Sequence, residues 1–210
     1  MSRSPRHRTT RAWVTDVDRL WLRTLEEVVN RAAHEVKDSL NGVSLNLEVI
    51  RSRSSAAVAN GQSFATFATS ATEQLEQLSA RTEAVLFLAR PPRDPADVAL
   101  TLKHLASLLV PTAKSEGGSL TVDGYEKSVP TSAPGQVTRL ALAAGLLMLT
   151  KEGGCNRCHL DSTSETVVRF SHESAGTCSL DSTVAKAIAK HSISSVRSGS
   201  DLILRFPGYR

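Results

Sequence analysis

His34 stands in the segment Arg31-Ala-Ala-His-Glu-Val-Lys-Asp-Ser-Leu-Asn41. An imidazole can act as a nucleophile and exchange protons near neutral pH. In a helix, at about 100° per residue, His34 lies about 160° from Val36, a residue of the apolar stripe described below. Its ring therefore points to solvent. Glu27, Arg31, Asp38 and Asn41, at i−7, i−3, i+4 and i+7, share that face. They make a polar cluster around a nucleophile that works at neutral pH. The plainer reading is an exposed surface histidine, the default for any of the other five in the chain.

The elements that must hold this histidine are legible in the punctuation. No proline occurs between Val14 and Arg90, and the only glycines there are Gly42 and Gly61. Apolar residues recur at Leu22, Leu25, Val29, Ala33, Val36, Leu40, Val43, Leu47 and Ile50, the three-four spacing of one helix face. Arg51 to Ser63, rich in Ser, Ala, Asn and Gly, reads as a turn with a frayed helix end. A second stripe follows with Phe64, Phe67, Ala71, Leu75, Leu78, Val85 and Ala89. Two long antiparallel helices cannot bury both stripes as an isolated hairpin. Pairing two hairpins into a four-helix bundle solves this, so a homodimer is expected.

Pro91, Pro92 and Pro95 then stop any helix. Beyond them the periods change. Val98 to Lys114, Gln136 to Thr150 and Ser182 to His191 read as helices. Ser119 to Val122, Cys155 to Leu160, Thr166 to Ser171 and Asp201 to Phe206 read as strands. The expected fold is α+β: a basic arm at residues 1–12, a helical hairpin at 13–91 and a two-layer α/β sandwich at 95–210.

Composition narrows the function classes. With 210 residues, of which 40% are apolar, the chain has material for a real core. Its apolar runs fall well short of the roughly 20 residues that cross a bilayer, and no apolar stretch follows the basic N-terminal residues. No membrane association is expected, and the chain reads as cytoplasmic. The net charge of +4 sits in Arg3, Arg6, Arg8 and Arg11, ahead of the first acid, Asp16, so the body from Trp13 onward is neutral. Aromatics are 4% of the chain, with no interleaving of rings and basic residues, so no nucleic-acid partner is expected. Three cysteines do not make a disulfide framework. Cys155-Asn-Arg-Cys158-His159 matches a haem-attachment pattern letter by letter, but it falls in a predicted strand. Zinc held by Cys155, Cys158, Cys178 and His159 or His172 is open by ligand type, as are incidental thiols.

His34-Glu35-Val36-Lys37-Asp38-Ser39-Leu40-Asn41 resembles the H-box of sensor histidine kinases, His-Glu-aliphatic-basic-polar-Pro-Leu. Ala84-Val85-Leu86-Phe87-Leu88-Ala89-Arg90 is similar to that family's ending of the second hairpin helix. The downstream order of elements, with the closing Val184–His191 and Leu202–Pro207, resembles its ATP-binding domain. The resemblance spans roughly Val14 to Pro207. It implies that His34 accepts or passes a phosphoryl group and that Glu35 takes the other ring proton. It also implies that Arg31, Lys37, Asp38 and Asn41 flank the phosphate or a docking partner. Asp38 replaces an amide or hydroxyl that positions water in phosphatase-competent members, and its charge opposes an incoming phosphate. Ser39 replaces the usual proline, which removes a kink.

A working nucleotide site in that family needs oxygen ligands for Mg²⁺ on one helix and glycine-rich loops against the phosphates. Arg139 to Thr150 contains no Asn, Asp or Glu, and Phe170 to Cys178 lacks the Asp-x-Gly-x-Gly pattern. The expectation is therefore a two-component phosphotransfer protein with no cofactor on this chain and no ATP-dependent autophosphorylation. Its partners would be a second copy and the receiver domains of response regulators, which bring their own Mg²⁺. The alternatives are a non-catalytic scaffold that binds a receiver or kinase, and a divergent active kinase.

Overall fold

The computed structural model describes residues 15–55, 61–92, 94–151, 154–172 and 178–209, the side chains of 53–55 and 61–64 excepted. The basic arm, the middle of the predicted turn, the side chain of Phe64 in the second stripe, and the centre of the Phe170 to Cys178 loop lie outside the described residues. A capping box opens the first helix, α1 (Asp16–Ser55): the Thr15 N–H donates to Asp18 Oδ2 (3.0 Å) and the Asp18 N–H to Thr15 Oγ1 (3.2 Å). The Thr15 hydroxyl and N–H hold the Asp18 carboxyl below the usual carboxylate range. The second helix, α2 (Gly61–Ala89), runs antiparallel to α1, for Arg81 meets Glu35 while Asn46 meets Ser70 and Gln74.

The remainder is a layer of helices on a sheet. In chain order it comprises β1 (Ala96–Asp97), α3 (Val98–Ser115), β2 (Ser119–Asp123), β3 (Pro130–Thr131), α4 (Gly135–Lys151), β4 (Cys155–Asp161), β5 (Thr166–His172), α5 (Ser182–Ala189), β6 (Ser194–Ser198) and β7 (Asp201–Phe206). Five strands form a mixed sheet in the order β2-β4-β5-β7-β6. β2 and β4 are parallel, joined through α4, and the other neighbours are antiparallel. β1 and β3 form a separate short ladder. Among the described residues, the architecture is thus α+β, a helical hairpin beside a two-layer α/β unit. No helix of these residues is long and apolar enough to cross a membrane.

The predicted helices and strands of the α/β part all form, within a residue or two at most ends. The sequence pattern does not show the two-residue strands β1 and β3, nor β6. Its residues Ser194, Ser195, Val196, Arg197 and Ser198 are all exposed, so no alternation of apolar side chains betrays the strand. Pairing with β7 makes it one.

The core is continuous across the hairpin and the sheet layer. Trp21, Val28 and Ala32 of α1 and Ala84 and Leu88 of α2 join the same cluster as Leu105 and Leu109 of α3 and Leu140 and Leu146 of α4. On α4, a Cβ at Gly145 would overlap the Phe170 ring of β5, so the absence of a side chain there lets helix and sheet approach. This packing corrects the expected stripe. The buried residues of α1 are Trp21, Val28, Ala32 and Ser39, each one position before a residue of the predicted stripe, together with Val43. On α2 the same displacement puts Ala84 and Leu88 inside. The apolar band of each helix is wide; the α3–α4 layer takes one flank of it. Leu22, Leu40, Leu47, Leu75 and Leu86, on or beside the other flank, are left 48–59% exposed.

Candidate functional site

His34 is exposed on α1, as its angle from the apolar band requires, and has no hydrogen-bond or ion-pair partner among the described residues. It opens onto a groove of about 990 Å³ between three elements. One wall is α1 itself, with Arg23, Glu27, Asn30 and Arg31; the others are the C-terminal end of α3, with Thr112, Ser115 and Glu116, and the start of α5, with Asp181 and Thr183. Asp181 caps α5 by accepting the Thr183 N–H at 2.8 Å, and that bond holds its carboxyl ionised to lower pH than usual.

Arg31, one turn before His34, is tied to the sheet layer. Its Nη1 donates to Glu116 Oε2 (3.1 Å) and to Thr150 Oγ1 (3.0 Å), and its Nε lies 3.9 Å from Glu27 Oε1. Lys151 Nζ approaches the same Glu27 oxygen at 3.0 Å. Lys37, Asp38 and Asn41 are exposed and unpartnered among the described residues. They continue the His34 face down α1, ending near Leu45, which is 63% exposed.

Glu35 turns away from this face. It opens into a second groove, of about 700 Å³, between the hairpin and α3, lined also by Arg81, Gln77 and Lys114. Its Oε2 lies 3.9 Å from Arg81 Nη2, while Arg81 Nη1 donates to the Glu35 carbonyl (2.9 Å) and to Ser39 Oγ. The Ser39 hydroxyl donates to the same carbonyl (2.8 Å). Ser39, in place of the resemblance's proline, thus serves as a buried polar contact, and α1 runs through it unbroken.

The sequence reading missed Arg81, Glu116 and Thr150. A signal for Arg81 was present: it falls three residues after Leu78 and four before Val85, on the apolar stripe, where a cation must be paired. For Glu116 and Thr150 there was none, since they meet Arg31 through tertiary packing.

α4, the helix the resemblance assigns to Mg²⁺ ligands, is buried along nearly its whole length. Its internal cation, Arg139, donates to the Leu88 carbonyl (3.2 Å) and the Arg90 carbonyl (2.6 Å), capping the end of α2. The guanidinium also lies 4.8 Å from the centre of the Phe87 ring, against which His104 stacks at 4.2 Å. Between α4 and the start of α5 a cavity of about 330 Å³ is also lined by Thr24 and Glu27 of α1. These residues do not fit a magnesium nucleotide: from Arg139 to Thr150 α4 offers no carboxylate or amide oxygen, and most of its side chains there are buried.

The Cys155 and Cys158 side chains alternate with the strand, one exposed and one buried, so they leave opposite faces of β4 and cannot chelate one ion together. No group of three or more His, Cys, Asp or Glu residues suited to a metal occurs among the described residues. Burial pushes the Cys158 thiol far up. His159 instead pairs with Asp123, which also meets Arg157 at 3.5 Å.

No protein-family model matches the chain, and no curated protein matches it in sequence. Among solved structures it is similar to the Acinetobacter baumannii histidine kinase AdeS, with 12% identity over 84% of this chain and 98% of that chain and a TM-score of 0.41. It is also similar to a bacterial phosphotransferase, with 14% identity over 86% of this chain and 94% of that chain and a TM-score of 0.38.

Proposed function

We propose that this chain is a histidine phosphotransfer protein of a two-component relay. It takes a phosphoryl group from the aspartate of one response-regulator receiver onto His34 and passes it to another. The observation that carries this reading is the placement of His34: an unpartnered imidazole, exposed on the first helix of a hairpin, at the mouth of an open groove. Such a ring is free to approach an acyl phosphate held by another protein. Lys37, Asp38 and Asn41 offer a polar docking surface beside it, and the receiver brings the Mg²⁺ that neutralises the phosphoryl oxygens.

In this reading the chain makes no phosphohistidine from ATP. The lack of Asn, Asp and Glu from Arg139 to Thr150, and the burial of most of α4, support that view. The working unit is a homodimer in which two hairpins form a four-helix bundle, a view supported by the exposed Leu22, Leu40, Leu47, Leu75 and Leu86.

The test is transfer. Purified protein mixed with phosphorylated receivers is expected to acquire acid-labile phosphate, and His34→Ala to abolish it. A chain that stays unlabelled by every receiver of its genome, or a label that survives His34→Ala, overturns the proposal. A second reading, a non-catalytic scaffold that binds a receiver or kinase, is favoured by Arg31, whose guanidinium is held by Glu116 and Thr150 rather than free for a phosphate. It predicts that His34→Gln retains full function in the cell.

A further inference from the structure

Glu35 follows His34 in the chain, and a carboxylate beside an imidazole is the usual acceptor for its ring proton. The fold separates the two. His34 lines the groove bounded by α3 and α5, whereas Glu35 lines the other groove, facing α2 and α3. Glu35 is there the counter-ion of Arg81, whose side chain is only 8% exposed. The same guanidinium grips the Glu35 carbonyl and the Ser39 hydroxyl, one turn apart on α1. A carboxylate that swung round the helix to reach His34 would leave that buried cation uncompensated.

We propose that Arg81 is a positioning residue that holds Glu35 as its counter-ion away from His34, so that His34 carries phosphoryl groups without Glu35 as its base. The inference rests on the phosphotransfer reading and deepens it. The chemistry permits it, because neutral imidazole already has a lone pair on one ring nitrogen and a proton on the other. The lone pair forms the N–P bond while the P–O bond of the receiver's acyl phosphate breaks, and that bond's electron pair leaves on the receiver carboxylate. The ring keeps its N–H as a phosphorylated imidazolium, which exchanges its proton with water. A carboxylate leaving group needs no proton, so nothing in the step calls for Glu35.

Phosphoramidate, a small donor that phosphorylates imidazoles, tests this without a receiver. Its P–N bond breaks, and the departing ammonia takes a proton from water. Labelling of the full chain is followed by intact-protein mass spectrometry from pH 6 to 8, and His34→Ala gives the background from the other histidines. Glu35→Gln is expected to label at His34 within threefold of the unsubstituted rate at every pH. A larger loss in a Glu35→Gln protein of native circular dichroism overturns the proposal.

Arg81→Met frees the carboxylate, which then favours the charged form of the nearby ring, and is expected to move the rate–pH profile to higher pH. That displacement vanishes in Arg81→Met/Glu35→Gln and is absent in Arg81→Lys. An unchanged profile in folded Arg81→Met overturns the positioning role. If Arg81→Met does not fold, Glu35→Gln and Arg81→Lys still decide, since a changed profile in Arg81→Lys also counts against it. Receivers that fail to transfer, with labelling by phosphoramidate independent of Glu35, overturn the phosphotransfer reading and leave the Arg81 assignment standing.

Discussion

Arg31 and Glu116 meet across the seam between the hairpin and the sheet layer, Nη1 to Oε2 at 3.1 Å, although 85 residues separate them in the chain. Thr150 of α4 accepts from the same nitrogen at 3.0 Å, so one guanidinium ties α1 to two elements of the α/β part. The side chains of the pair are 21% and 46% exposed, which limits what the contact contributes. A double-mutant cycle with Arg31→Ala and Glu116→Ala is expected to give a coupling of about 0.5–1 kcal/mol in urea unfolding. A coupling indistinguishable from zero would mean that the apolar core alone holds the seam.

The exposed leucines make a prediction about assembly. Leu40→Lys/Leu47→Lys removes apolar surface on the flank of α1 that the sheet layer leaves uncovered. Sedimentation equilibrium is expected to show a dimer for the unsubstituted chain and a monomer for the variant, with matching far-ultraviolet circular dichroism. If the variant keeps the dimer's mass, the interface lies on another face.

His104 gives the stability a pH dependence. Burial holds the imidazolium of His104 down, Glu83 opposes this, and Lys103 and Arg139 push the same way as burial. The folded chain therefore binds this proton less readily than the unfolded chain, in which the imidazole has its ordinary value near 6.5. Stability present above that pH is lost as the pH falls below it, and the loss levels off once the folded form is also protonated. Melting temperature is expected to fall between pH 7 and pH 5, and to fall less in His104→Leu. Equal slopes in the two proteins would show that the stacked ring is not the group responsible. The carboxylates of Asp18, Asp161 and Asp181, all held low by hydrogen bonds, act in a separate window, below the usual carboxylate range.

The cysteines report on strand orientation. Cys155 is exposed, whereas Cys158 and Cys178 are buried, and the Cys158 thiol resists ionisation. Iodoacetamide at pH 8 is expected to modify one thiol per native chain, identified as Cys155 by peptide mapping, and all three after denaturation. Rapid modification of Cys158 in the native protein would contradict the inward-facing register of β4.

Much of the fold was legible because local rules govern it. Val98–Ser115 could be read from an uninterrupted apolar period, and β4 and β5 from strict alternation, since each of these elements presents one face to a single core. β6 was not legible: both its faces are open, and it exists through its pairing with β7. The exposure of His34 followed from its angle on α1. The destination of Glu35 did not, for adjacent residues on a helix point about 100° apart, and which neighbour each finds depends on what packs there.

The sequence by itself determined that a helical hairpin precedes an α/β unit, that His34 faces away from the apolar band, and that Arg139 to Thr150 of α4 carries no Asn, Asp or Glu. These follow from periodicity and side-chain chemistry, properties of residues a few positions apart. Only the tertiary structure decided which flank of each wide apolar band is buried, that Arg31 is held by Glu116 and Thr150, and that Glu35 is held by Arg81 rather than facing His34. Those outcomes depend on contacts between residues far apart in the chain. A buried guanidinium must find its counter-ion wherever packing brings one within reach.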